Sequence, residues 1–112
     1  MMESSTFHTQ TRELLLDLGI TPNYTGYFYL TDALEMISEE PQRLLQVTKR
    51  VYPEIAGRYN TSAPAVERCM RTAAEIAWKT NPELLQKLVG HQLYKRLKVG
   101  KFLAVLSLGL IS

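Results

Sequence analysis

The chain has 112 residues, of which 46% are apolar and 21% charged, a composition typical of one globular domain with an apolar core. Its single cysteine excludes an intrachain disulfide. Residues 1–6 lack the basic and apolar segments of a secretory signal peptide. These features indicate a cytoplasmic protein consisting of a single domain over residues 1–112.

The formal net charge of +2 conceals a separation of charge along the chain. Residues 1–48 have two basic and seven acidic side chains, a net charge of −5. Residues 49–79 have a net charge of +3 and residues 80–112 a net charge of +4. A polyanion such as double-stranded DNA is therefore expected to approach the C-terminal half.

The elements predicted along the chain are helical. Residues 1–8 are expected to be disordered, and a leucine-rich helix then ends at Gly19, a residue suited to the left-handed conformation after a helix. A loop is predicted at residues 21–23. The aromatic run at residues 27–30 has the propensity of a short strand, but no second clear strand exists to pair with it. A capped helix start at Thr31 is predicted instead.

Three more helices are predicted outside the central region. Pro41 opens one, whose inward side chains are expected to be Leu44, Leu45, Val47 and Thr48. Residues 81–83 have the Asn-Pro-Glu order of a helix start, and that helix ends at Gly90. The segment 102–111 is too short to cross a membrane, which requires about 20 apolar residues, and we expect it to form the last core helix. It is apolar on nearly all sides, which suggests either docking against a second copy or a chain that ends earlier than its relatives do.

Residues 52–71 have the pattern of a helix-turn-helix. Pro53 suits the first turn of a helix, where its missing N–H is no loss. Asn60 then stands where the chain must turn, and asparagine tolerates the left-handed conformation there. The buried face of this first helix is expected to consist of Ile55, Ala56 and Tyr59.

The second helix of this motif is predicted over about residues 62–79. A hydroxyl of Thr61 or Ser62 could cap it, and Pro64 falls in its first turn. Its apolar stripe consists of Val66, Met70, Ala73, Ala74 and Ala77, and its opposite side of Pro64, Glu67, Arg68, Arg71 and Glu75. Such a helix can lie in the major groove of DNA, although an αα-hairpin in any small helical protein has the same pattern.

Other chemistry-bearing residues give weaker signals. Lys95, Arg96, Lys98 and Lys101 form a basic cluster that is either a solvated loop or a set of phosphate contacts; Lys49, Arg50 and Arg58 are further candidates for phosphate contacts. Cys69 is expected to be a packed thiol, and His8 and His91 are isolated. The sequence therefore predicts no catalytic residue, no metal site and no cofactor.

Several of these motifs together resemble a known family. They are Gly26-Tyr27-Phe28-Tyr29-Leu30, Tyr52-Pro53-Glu54-Ile55-Ala56, Tyr59-Asn60-Thr61, Val66-Glu67-Arg68 and Ala74-Glu75-Ile76-Ala77-Trp78. In these segments the chain resembles the DNA-binding effector domain of the stage-zero sporulation response regulator of Firmicutes. The resemblance implies an all-α fold, a compact bundle of about six helices containing a helix-turn-helix.

The resemblance also implies functional roles. It implies sequence-specific DNA binding and transcription regulation, as tandem copies on a short promoter box and with a sigma factor of RNA polymerase as partner. The base contacts would be Glu67, Arg68 and Arg71, since Arg can bond guanine bidentately and Glu can accept from cytosine. The predicted phosphate contacts are Ser62, Lys49, Arg58, Lys95 and Lys98.

The chain departs from the family in ways that affect the expected function. Ala65 stands where an Arg is usual, Thr72 where a His is usual, and Pro64 replaces a small polar residue, so a different box is one expectation. The family's receiver domain has no room in these 112 residues, so we expect either a stand-alone effector-like protein or a fragment. An alternative is therefore a receiver-less interaction protein that binds the sigma factor or the full-length regulator without specific DNA binding, through its acidic N-terminal half and apolar C-terminal helix.

Overall fold

The computed structural model describes residues 2–111, and the side chains of residues 6–110. In this part of the chain there are seven α-helices, one 3₁₀-helix and no strand. They are α1 (Met2–Asp17), α2 (Thr25–Glu39), the 3₁₀-helix (Pro41–Gln46), α3 (Val47–Arg50), α4 (Tyr52–Arg58), α5 (Ala63–Thr80), α6 (Pro82–Val89) and α7 (Val99–Ile111). The predicted all-α class with a helix-turn-helix is confirmed, and the four-residue α3 raises the number of helices above the expected six.

The central element of the core is α7. It packs against α1, α2, the 3₁₀-helix, α5 and α6. Its buried side chains are Val99, Phe102, Leu103, Val105, Leu106 and Ser107. Neighbouring helices therefore cover several sides of α7, whereas Leu108 is 63% exposed, and the docking against a second copy stays a prediction.

Helix α2 begins earlier than the sequence predicts. It starts at Thr25, six residues before the expected cap at Thr31, and therefore includes the aromatic run at residues 27–30. The Thr31 hydroxyl donates to the carbonyl of Phe28 at 2.9 Å, which is a bond within a helix. Burial of the α2 face that includes Tyr27, Leu30 and Leu34 stabilises these turns more than the local cap signal at Thr31 would.

Helix α1 also differs from expectation. Disorder was predicted for residues 1–8, whereas the helix begins at Met2; residue 1 lies outside the described residues. Phe7 packs against the core, and His8 Nε2 lies 2.9 Å from a carboxylate oxygen of Glu35 on α2. These contacts hold the N-terminal turns of α1 against the rest of the fold. Composition alone does not predict a packing partner for these turns.

The segment after Pro41 is a 3₁₀-helix rather than the start of a regular α-helix. Leu44 and Val47 are partly buried and pack against the core, as predicted. Leu45 is 84% exposed and Thr48 is also exposed, so both predictions of an inward side chain were wrong. A 3₁₀-helix has three residues per turn, which turns residue 45 about 120° away from the face that residues 44 and 47 share.

Candidate nucleic-acid interface

The turn between α4 and α5 has the predicted geometry. Asn60 is in the left-handed region with φ of 53°, the one non-glycine residue with positive φ in the described chain. The Thr61 amide donates to the Ala56 carbonyl at 2.9 Å and closes the end of α4. The Ser62 hydroxyl then accepts from the Ala65 amide at 3.2 Å, so Ser62 is the cap of α5.

The inner face of α5 is the predicted apolar stripe. All five of its members are buried: Val66, Met70, Ala73, Ala74 and Ala77. Helix α2 crosses this stripe closely, because a Cβ added at Gly26 would lie 2.6 Å from the Cys69 carbonyl oxygen. Helix α5 is therefore held against α2 by close approach of the two backbones, and it also contacts α4.

The outer face of α5 has a line of exposed residues. Their spacing of three or four places them on one side of the helix: Pro64, Arg68, Thr72, Glu75 and Lys79. Arg68 lies near the middle of the N-terminal half and has no ion pair with any described residue. Its guanidinium therefore has all its donors available to a partner outside the protein.

Glu67 and Arg71 lie at one edge of this face and contact each other. Arg71 Nη1 is 3.2 Å from Glu67 Oε1, an ion pair one turn apart. Tyr52 of α4 lies nearby, and burial together with the Glu67 charge raises the pKa of its phenol to about 12. Two of the three predicted base contacts are therefore paired with one another in the free protein, and the third is not.

The positions that depart from the family lie on or beside the exposed face. The Ala65 amide belongs to the cap of α5, and the Ala65 side chain is partly exposed. Thr72 is exposed and belongs to the line of exposed residues on α5, four residues after Arg68.

The predicted phosphate contacts differ in their surroundings. Arg58 is held by acids: its Nη2 is 2.9 Å from Glu54 Oε2 and its Nη1 is 3.6 Å from Asp32 Oδ2. Asp32 also accepts a hydrogen bond of 2.8 Å from the Tyr59 hydroxyl. Lys49, in contrast, is exposed on α3 and has no ion pair with the described residues.

The loop between α6 and α7 presents the second group of cations. Lys95 and Lys98 are exposed, and neither has an ion pair with a described residue. Tyr94 beside them is 84% exposed. The loop surrounds a shallow hollow of about 400 Å³ between His91 and Lys101, and no acidic side chain lines it.

Sequence reasoning missed one group of charged residues near the motif. Arg43 contacts Glu40, Glu54 and the carbonyl of Arg50. These residues are 3, 11 and 7 positions from Arg43, across three helices, so no single helical period brings them together. The opposite charges of Arg43 and the two glutamates are the only feature of the sequence that could have indicated these contacts.

The described residues were also compared with the requirements of a reactive thiol, a metal site and a membrane-spanning helix. Cys69 is a free thiol of intermediate exposure on α5. The described side chains include no group of three or more His, Cys, Asp or Glu that could hold a metal ion. Within residues 2–111, every helix is too short or too polar to cross a membrane.

Comparison with protein families identifies the family of this chain. The family model described as "Sporulation initiation factor Spo0A C terminal" matches residues 11–109, nearly the whole chain. This is a family of DNA-binding effector domains of sporulation regulators and not a family of enzymes.

Proposed function

The chain belongs to the Spo0A C-terminal family of DNA-binding effector domains, and we propose that α5 reads a specific duplex sequence in the major groove to regulate transcription. The observation that carries this proposal is the exposed face of α5, with Arg68 unpaired in its N-terminal half. The width of the major groove admits an α-helix, and the N-terminal half of a recognition helix is the part that contacts base edges.

The three base contacts have different tasks in this proposal. Arg68 donates to guanine O6 and N7 from a free guanidinium. Glu67 and Arg71 exchange part of their mutual ion pair for bonds to bases, with Glu67 accepting from a cytosine amino group. Arg71 keeps donors for this purpose, since its contact with Glu67 involves one of five N–H groups.

The phosphate contacts position the domain around these bases. Lys49, Lys95 and Lys98 reach the backbone as unpaired cations, and Ser62 donates its hydroxyl hydrogen to a phosphate while its oxygen caps α5. Arg58 takes part only after it is released from Asp32 and Glu54. Binding as tandem copies and contact with a sigma factor complete the proposal and rest on the family resemblance.

The experiment that tests this function is selection from random duplex DNA. The purified chain should enrich a short box, and binding to that box should exceed binding to a scrambled duplex and fall steeply with salt. Equal affinity for the box and the scrambled duplex would overturn sequence-specific recognition. If a sigma factor were captured by a chain that bound neither duplex, the receiver-less interaction protein would be the better description.

A further inference from the structure

We propose that Arg43 is a positioning residue for DNA binding, which holds α3 and the start of α4 so that Lys49 meets a phosphate; this rests on the function proposed above. Arg43 lies in the 3₁₀-helix, outside the helix-turn-helix. Its side chain is 18% exposed, too little for a direct role as a long flexible phosphate contact. Its Nη1 instead donates to two neighbouring elements, and its guanidinium forms an ion pair with a third.

The first tie is to the end of α3. Arg43 Nη1 donates to the Arg50 carbonyl at 2.5 Å. The last carbonyls of a helix have no partner within it, and an Arg side chain can satisfy one of them. Helix α3 has four residues and is too short to be stable alone, so a bond from outside fixes the position of Lys49, one residue before Arg50.

The second tie is to the start of α4. The same Nη1 lies 3.0 Å from Glu54 Oε1, in the first turn of α4, where a carboxylate also interacts favourably with the helix dipole. One guanidinium nitrogen thus bridges the C-terminus of α3 and the N-terminus of α4. A lysine could keep the charge, but its single nitrogen could not also reach Glu40 as Arg43 Nε does.

The third tie is to the end of α2. Arg43 Nε is 3.1 Å from Glu40 Oε1, an ion pair without hydrogen-bond geometry, and the other oxygen of Glu40 is paired with Arg50 Nη2. Glu40 is the C-cap residue of α2, the helix whose Gly26 contacts α5. The network therefore connects the helix that supports the recognition helix to the segment that presents Lys49.

A sign test separates positioning from net charge. Glu40→Gln removes a negative charge from the protein, and charge alone predicts tighter binding to DNA. Positioning predicts the opposite, a dissociation constant for the selected box raised about threefold. Unchanged or tighter binding by Glu40→Gln would overturn the proposal.

A double-mutant cycle tests the link to Lys49. Arg43→Met should raise the dissociation constant about tenfold. It should also reduce the salt slope, which is the slope of log binding constant against log salt concentration, by about 0.9, the value for one lost phosphate contact. Lys49→Met should have the same two effects. The slope of the double variant should equal that of Lys49→Met alone. An additive slope would show that Arg43 contacts a phosphate itself. Arg12→Met, an exposed site on α1, is the control for loss of charge.

Hydrogen exchange tests the same idea without DNA. Arg43→Met should accelerate exchange of the Val51 and Ile55 amides, which donate to Val47 and Val51, whereas Arg12→Met should not. If Arg43→Met does not fold, Arg43→Lys replaces it in each measurement. Unaltered exchange overturns the proposal, whereas a native chain that does not discriminate the box overturns only the proposed function.

Discussion

Arg68 is the residue from which sequence preference is expected to come. It is exposed in the N-terminal half of the outer face of α5 and is free of ion pairs with the described residues. Arg68→Ala should therefore weaken binding to the selected box by about 1–3 kcal/mol and leave binding to a scrambled duplex nearly unchanged. Competition binding with both duplexes measures this difference.

Lys98 is the comparison for Arg68, because it is a predicted phosphate contact rather than a base contact. Its exposed side chain lies in the loop after α6. Lys98→Ala should weaken binding to both duplexes equally and reduce the salt slope by about 0.9. A loss confined to the selected box would instead place Lys98 among the residues that read bases.

Tyr52 should make the fold sensitive to alkaline pH. The pKa of its phenol is raised from 10.0 to about 12 by burial and by the Glu67 charge. The folded state thus keeps a proton that the unfolded state loses, so this stability is complete below about pH 10 and declines as pH rises toward 12. The loss at Tyr52 is of the order of 2 kcal/mol.

Urea unfolding measured from neutral pH to above pH 10 tests this. Tyr52→Phe should show a smaller alkaline loss than the native chain. Some loss should remain, since the pKa of Tyr59 is also raised to about 12 by burial and its hydrogen bond to Asp32. A Tyr52→Phe profile identical to the native one would contradict the assignment.

At the scale of helices, the crossing of α2 on α5 depends on Gly26. A Cβ there would lie 2.6 Å from the Cys69 carbonyl oxygen, and backbone cannot move aside as a side chain can. Gly26→Ala should reduce the free energy of unfolding by about 1–3 kcal/mol, because it forces the two helices apart. It should also weaken DNA binding, since α5 would shift.

Gly57 is the control for the same substitution. It lies in α4, and an added Cβ would meet nothing within 4 Å. Gly57→Ala should therefore stabilise the fold by about 0.5–1 kcal/mol, because alanine loses less backbone entropy than glycine in a helix. Stabilisation by Gly26→Ala as well would show that the α2–α5 contact is looser than the structure indicates.

The helix-turn-helix could be predicted from the sequence because local rules determine it. Asn60 at the turn, Ser62 at the cap and Pro64 in the first turn depend on the conformation of one or two residues. The start of α2 could not be predicted in this way. Thr31 has the local signal of a cap, but packing of the preceding turns against other helices outweighs it.

In the candidate site, too, some features follow from local sequence and others only from tertiary packing. The positions of Arg68 and the apolar stripe follow from helical period, so the sequence predicts which side of α5 faces outward. The pairing of Arg58 with Asp32, and the network around Arg43, join residues from separate helices. Charge composition indicates that such cations exist, but only tertiary structure shows which of them are neutralised.

For the whole molecule, the basic side chains fall into two groups. Some form ion pairs with carboxylates of the fold, and others have no ion pair with a described residue. Several arginines close to the acidic first half are paired with its carboxylates or with Glu54: Arg43, Arg50 and Arg58. Lys49, Lys95 and Lys98 have no such partners among the described residues. The field that would attract DNA therefore comes chiefly from α3, α5 and the loop after α6.

The same pairing predicts how the fold responds to acid. A hydrogen bond from Arg50 holds the pKa of Glu40 below 4.5, and one from Arg43 does the same for Glu54. A depressed folded-state pKa contributes stability that is present above about pH 4.5 and is lost as pH falls through the folded value. The urea midpoint should therefore decline below about pH 4.5.

Charge-neutral variants assign this decline to the network. Glu40→Gln and Glu54→Gln should each be less stable than the native chain at neutral pH and should lose less on acidification, because the titrating carboxylate is absent. Glu13→Gln, at an exposed carboxylate of α1 without an ion pair to a described residue, should follow the native profile. If all three variants retained the native acid profile, carboxylates elsewhere would be responsible, and the arginine pairs would contribute little to holding α2, α3 and α4 together.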